Sequence, residues 1–255
     1  MDGVPTVELL SHSGSDLMVA NAARCSFDKQ HDTFSVTRDG KLIEFLARGC
    51  TKDTWDGFIG LVTSGQLSHE EAHNLLCAVR KIPIHFAPFV HCTATFRFTM
   101  PIGVARQWWK STVGFGLSSE LQISEVSRRY VDTPPEYFDV ETWRSRAEDK
   151  KQGSGEELGR PYEVDRAYHD CLDEADFTYA RLLAEGVCPE QSRFVLPLAT
   201  MTTFWQTGSM AAWARLCSLR CRDDVQPETR EIAERVAEYM AGLFPISWHH
   251  LSEYH

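Results

Sequence analysis

From His91 the chain alternates without a break. Thr93, Thr95, Arg97 and Thr99 fall on one side, and Cys92, Ala94, Phe96, Phe98 and Met100 on the other. Successive side chains of a strand point to opposite faces, so this run is a strand with one face buried. Prolines bracket it. Pro83 and Pro88 break any helix upstream and leave His85 in a loop between two rigid corners. Pro101 stands at the first turn of a helix, PIGVARQWWK, in which Val104 and Trp108 share a face while Arg106 and Lys110 project elsewhere.

Around this strand and helix the remaining chain reads mostly as helix. Val4 to Leu10 is a short strand, Ser11 to Asp16 a turn, and Leu17 to Phe27 a helix that brings out Arg24 near its end. A helix from about Asp39 stops at Gly49, another covers Trp55 to Ser64 with Gly65 as its stop, and Ser68 with Glu70 and Glu71 opens a third that runs to about Arg80. Glu125 to Val131 alternates as a short strand. Arg144 to Gly159 is charged and poor in apolar residues, so residues 144–160 are expected to form a mobile surface excursion. Tyr162 to Glu185 is a long amphipathic helix ended by Gly186, and Pro189 opens another that reaches Val195. LPLATMTTFWQTGS is unfriendly to helix. MAAWARLCSLRCR and Glu228 to Leu243 are helical, and Phe244 to Tyr254 is a short aromatic, His-rich cap. The sum is an α+β fold: one helix-rich domain, residues 1–255, with a central mixed or antiparallel sheet.

A chain of 255 residues buries an extensive core without staples. Lys and Arg number 26 against 36 Asp and Glu, 26 − 36 = −10, so the global field repels nucleic acid and anionic membrane. An anionic ligand must then be held by a local arginine cluster. The eight cysteines are scattered; Cys217 and Cys221, one helical turn apart, suit apolar packing better than a zinc site, so no metal is expected. With no export segment and no apolar run long enough to span a membrane, a reducing cytoplasm is the expected location.

The stretch with most chemistry is Arg106 to Tyr130. It closes with Glu125, Ser127, Arg128, Arg129 and Tyr130 inside six residues. Such a set of donors, one carboxylate and aromatic faces suits an anionic or heteroaromatic ligand, although an exposed basic strand after a flexible loop gives the same letters.

PIGVARQWWK followed by SEVSRRY, with HFAPFVH and AARCSF upstream and RFVLPL and LR downstream, resembles the flavin-dependent thymidylate synthase family, in the same order along most of the chain. That family's pattern runs Arg-His-Arg, two residues, Ser, one residue, Asn-Glu, one residue, Ser, one residue, Arg-Tyr. Glu125, Ser127, Arg129 and Tyr130 match its second half, with Ser124 in place of Asn. Lys110, Ser111 and Thr112 stand where Arg-His-Arg is usual. Lys110 to Glu125 spans 125 − 110 = 15 positions where the pattern has eight, so seven residues are inserted, in the loop 113–122.

What the resemblance implies is a reductive C5 methylation of a uridine monophosphate, with FAD as cofactor, NADPH as its reductant and 5,10-methylenetetrahydrofolate as carbon donor. The nucleotide side would comprise Gln107, Ser127, Arg128, Arg129, Arg193 and Arg220, with Arg220, Glu125 and Ser127 closest to the chemistry. Arg220 resembles the arginine that lies against the pyrimidine and stabilises charge at C5, and Glu125 would orient that arginine or the nucleotide. Without the resemblance, Arg193 and Arg220 read equally as surface or salt-bridge arginines. The flavin side would comprise His85, Lys110, Ser111, Thr112, Glu125, Ser209 and Arg215, whereas Ala211, where an arginine is usual, cannot bond. Ser127 is read as a phosphate or backbone ligand, since no nearby histidine or lysine base activates it as a nucleophile. The departures resemble those of the uridylate methylases of polyoxin-type antibiotic pathways, which act on UMP and dUMP. A housekeeping dTMP synthase and a catalytically silent uridylate-binding paralogue are the alternatives. The family's active sites are shared within a homotetramer, which Trp108, Trp109, Trp205 and Trp213 can supply with interface or equally with core.

Overall fold

The computed structural model describes residues 3–79, 85–111, 122–148 and 153–254. Hydroxyl groups begin the first four helices. Ser15 Oγ accepts from the Met18 amide at the start of α1 (Asp16–Arg24), Ser35 Oγ from Arg38 at α2 (Val36–Arg48), and Thr51 Oγ1 from Thr54 at α3 (Lys52–Thr63). At α4 (His69–Val79) the Ser68 hydroxyl and Glu71 carboxylate exchange bonds with each other's amides, a reciprocal cap written as Ser-x-x-Glu in the sequence. Gly49 ends α2 at φ 79°, a left-handed turn that costs glycine nothing.

The other elements are β1 (Thr6–Ser13), α5 (Ala87–Val90), β2 (Thr93–Pro101), α6 (Ile102–Lys110), β3 (Gln122–Glu125), β4 (Trp143–Arg146), β5 (Ser154–Gly159), α7 (Tyr162–Ala184) and α8 (Pro189–Ser192). After a 3-10 turn (Arg193–Val195) come β6 (Met201–Ser209), α9 (Met210–Arg220), α10 (Pro227–Leu243) and α11 (Pro245–Tyr254). One four-stranded sheet has the order β1-β2-β6-β3, and β3 runs antiparallel to β6 with Glu125 opposite Phe204.

The chain gathers into two compact units that alternate along the sequence. The first holds residues 1–10, 96–207 and 219–235, and the second 11–95, 208–218 and 236–255. Their boundaries cut through β1, β2, β6, α9 and α10 rather than falling in linkers. In the first unit Phe98, Trp108 and Phe204 are fully buried and in ring contact, and the Trp108 indole donates to Gln206 Oε1 at 2.7 Å. Truncating Trp108 to alanine is worth about 3–5 kcal/mol by the usual cost of an aromatic cavity. In the second unit Ile43, Phe89, Trp213, Phe244 and Leu251 form the core, and the Asp16 carboxylate accepts the Ile246 and Ser247 amides at the start of α11.

Several expectations are revised. The strand expected over Glu125 to Val131 lies earlier: β3 ends at Glu125, and Ser127 to Tyr130 form a turn closed by the Tyr130 amide on Ser127 O at 3.1 Å. LPLATMTTFWQTGS, assigned to no element, contains β6. Residues 144–160, expected as a surface excursion, hold β4 and β5 as an antiparallel pair, whose Arg144 reaches the Glu228 carboxylate on α10 at 2.5 Å. The turn expected over Ser11 to Asp16 is strand as far as Ser13.

Candidate functional site

A cleft of about 790 Å³ opens in the first unit where the end of β3 meets the 3-10 turn after α8. Backbone geometry delivers its cations. The turn after β3 places Arg128 and Arg129 together, α6 presents Arg106, and the 3-10 turn begins at Arg193. Arg128, Arg129 and Arg193 are each held by a neutral acceptor. Arg129 Nε donates to Ser127 Oγ at 3.1 Å, Arg128 Nη1 to Thr133 O at 2.9 Å, and Arg193 Nε to Glu190 O at 3.2 Å. Among the described residues none of these four arginines forms an ion pair, although Glu125 and Glu136 also line the cleft. Four uncompensated guanidinium groups against two carboxylates make the cleft locally positive in a chain of net charge −10, and planar forks of this kind suit phosphate oxygens.

The floor is threonine. Thr202 Oγ1 donates to Glu125 Oε1 at 2.7 Å, and the Thr99 and Thr203 hydroxyls meet at 3.0 Å. The Val126 amide donates to Thr203 O at 2.9 Å, which fixes the backbone as it leaves β3.

A second cleft in the same unit, about 910 Å³, is lined by Gln107, Lys110, Ser111 and Arg220, with Arg106 common to both clefts. Arg220 ends α9, donating to Ser111 Oγ and, at 3.0 Å, to Gln107 O. Partial burial draws its pKa below the usual arginine value. Gln107 Oε1 accepts from the buried Thr229 hydroxyl, which leaves its amide nitrogen to the cleft. The neighbouring Arg222 and Arg144 are paired with Asp224 and Glu228, so among the described residues the cations of this cleft without an ion pair are Arg106, Lys110 and Arg220.

The residues singled out from the sequence are thus brought together in two groups. Glu125, Ser127, Arg128, Arg129 and Arg193 share the first cleft; Gln107, Lys110, Ser111 and Arg220 share the second. Within one chain Glu125 does not orient Arg220: its bonded partner is Thr202, while Arg220 is held by Ser111 and Gln107. His85, Ser209 and Arg215 belong to the second unit. The exposed His85 ring stacks on Phe45 at 5.6 Å, Ser209 Oγ accepts the Ala212 amide at the start of α9, and Arg215 is exposed. Thr112 and the loop 113–121 lie outside the described residues.

Three site residues were not singled out beforehand. Thr202 and Thr203 were hidden with β6 itself. Arg106 was legible as the one arginine of α6, on a helix whose Val104 and Trp108 share an apolar face.

The family model described as "Thymidylate synthase complementing protein" matches residues 8–246. The flavin-dependent thymidylate synthase of Thermus thermophilus is 27% identical over 242 residues, covering 95% of this chain and 73% of that protein. The one from Pseudothermotoga lettingae is 25% identical over 248 residues, covering 97% and 90%. The crystal structure of PolB from Streptomyces cacaoi, a UMP/dUMP methylase bound with 5-Br dUMP, superposes with a TM-score of 0.73 at 22% identity, covering 99% of this chain and 96% of that one. With most of its length matched by the family model and its fold shared with PolB, this chain belongs to the thymidylate synthase complementing protein family, that of the flavin-dependent thymidylate synthases.

Proposed function

We propose that the chain catalyses reductive methylation at C5 of a uridine monophosphate, UMP or dUMP, using FAD, NADPH and 5,10-methylenetetrahydrofolate. The observation that carries this is the first cleft, where among the described residues Arg106, Arg128, Arg129 and Arg193 stand without carboxylate partners around Ser127 and Glu125. A nucleotide monophosphate supplies the missing anion. Arg129 and Arg193 take phosphate oxygens, with Ser127 holding Arg129 in place. Among the described residues Ser127 has only that donating arginine as a side-chain partner, and an arginine cannot remove its proton, which favours a binding role over a nucleophilic one.

Arg129 and Arg193 line one cleft, and Gln107 and Arg220 the other. A uridylate contacted by all four is completed by a second copy of the chain, in keeping with the shared sites of a homotetramer that the family resemblance implies. Arg220, fixed through Nε and Nη2, then lies against the pyrimidine and stabilises negative charge as C5 becomes nucleophilic. The second cleft also fits a flavin dinucleotide in its donor set: Lys110, Arg106 and Ser111 are cationic or hydroxylic and suit a pyrophosphate. His85, Ser209, Arg215 and Glu125 are the further candidates to hold that group. When bound and reduced, it supplies the hydride that completes the methyl group. The likeness of this chain's fold to PolB, a UMP/dUMP methylase, supports UMP as well as dUMP as substrate.

Titrating the purified protein with FAD and then UMP tests this. Near-equimolar flavin absorbance that shifts on adding UMP is expected. A colourless protein that still binds UMP overturns it in favour of the catalytically silent paralogue, for which the loss of Arg-His-Arg and the buried Ala211 would then account.

A further inference from the structure

We infer that Thr202 is a positioning residue, whose hydroxyl holds the Glu125 carboxylate away from the surrounding arginines so that their guanidinium groups stay open to the anionic ligand. This rests on the reading of the first cleft as a nucleotide site. Glu125 pairs with Phe204 across the β3/β6 ladder, and Thr202 lies two residues along β6, the diagonal neighbour on the same face. Thr202 is 8% exposed, so its position is set by the sheet rather than by solvent. Its hydroxyl donates to Oε1 at 2.7 Å, while Oε2 has no bonded partner among the described residues.

The geometry matters because of the company. An ionised carboxylate beside Arg106, Arg128, Arg129 and Arg193 is drawn to form a bidentate pair with one of them, and such a pair occupies the very fork that a phosphate uses. Among the described residues no such pair is formed. A donor fixed on the neighbouring strand holds one oxygen back and leaves the other as an acceptor for a ligand hydroxyl or N–H group.

Valine replaces the hydroxyl with a methyl of the same size, and serine keeps the hydroxyl. The full-length T202V and T202S proteins, each checked for native circular dichroism and melting, are titrated calorimetrically with UMP and with inorganic phosphate. T202V is expected to weaken both by roughly tenfold, the worth of a hydrogen bond to a charged group, and T202S to restore most of it. In an E125Q background, where no charge remains to fall onto an arginine, T202V is expected to change phosphate affinity by less than twofold.

Unchanged phosphate affinity in T202V, or the same loss in both backgrounds, overturns the inference; if wild type still binds UMP, the reading of the first cleft as a nucleotide site stands. If wild type binds phosphate but not UMP, and T202V weakens phosphate only when Glu125 is present, the proposed function falls and the positioning role of Thr202 stands. Wild-type protein that binds neither ligand overturns both.

Discussion

Arginine is used in two opposite ways in this molecule. At the start of α2 the fully buried Asp39 accepts from Arg24 Nη2, from Arg38 Nε at 2.9 Å and from the Ser35 amide at 2.6 Å. The Arg38 hydrogen bonds, with help from Ser35 and Arg24 and against the opposing effect of burial, hold that carboxyl well below the ordinary carboxylate range. In the first cleft the hydrogen bonds of Arg128, Arg129 and Arg193 go to neutral oxygens among the described residues, and the Arg129 guanidinium also lies over the Tyr130 ring at 4.9 Å. A chain with 36 acidic residues has carboxylates to spare, so cations left unpaired together in one cleft point to a partner that is not part of the chain. The first arrangement serves folding, and on the proposed function the second serves binding.

The largest expected effect separates the two. Asp39→Ala strands the buried Arg24 guanidinium and should cost about 3–5 kcal/mol in denaturant unfolding, whereas Arg193→Ala should stay within about 0.5 kcal/mol of wild type. Equal losses would erase the distinction. The depressed Asp39 pKa adds a pH signature. Its contribution to stability is complete above the unfolded carboxylate value of about 4 and is lost as pH falls below it, so Asp39→Asn should flatten the acid limb of the stability curve. Next in size, Arg220→Ala should lower turnover by about 10²–10³-fold with stability nearly intact, and near-normal turnover would remove Arg220 from the chemistry. Arg193→Ala should raise the UMP dissociation constant by about tenfold or more, an effect that shrinks as salt rises. Smallest, Ser127→Ala should weaken UMP binding by about 2–10-fold through a less ordered Arg129; complete loss of turnover with intact binding would instead revive Ser127 as a nucleophile.

The fold was readable wherever the local rules agree with the packing. Gly49 ends α2 as expected, although the helix begins at the Ser35 cap, before the Asp39 start read from the sequence, and the alternation from Thr93 to Met100 shows β2 with its buried face correct. β6 was not readable, because its buried face carries Thr202 and Gln206 beside Phe204, so the apolar period is broken. Gln206 is tolerated inside because its Oε1 takes the Trp108 N–H group, a partner 98 positions away. The β4/β5 pair escaped for a related reason: polar bonds such as Arg144 with Glu228 tie it down, and those leave no hydrophobic pattern. At the site, the arginines after β3 were legible as a cluster. The division that sends Arg220 to a second cleft was not, since it depends on where α9 ends relative to α6.

The most direct test of the central claim is a competition assay with product analysis by mass spectrometry. The protein is given FAD, NADPH, 5,10-methylenetetrahydrofolate carrying a labelled one-carbon unit, and equal UMP and dUMP. Labelled methyl on C5 of the uracil ring, absent when flavin is omitted and strongly reduced in Arg220→Ala, is the predicted result. Protein that binds flavin and uridylate but leaves both nucleotides unmethylated would contradict it.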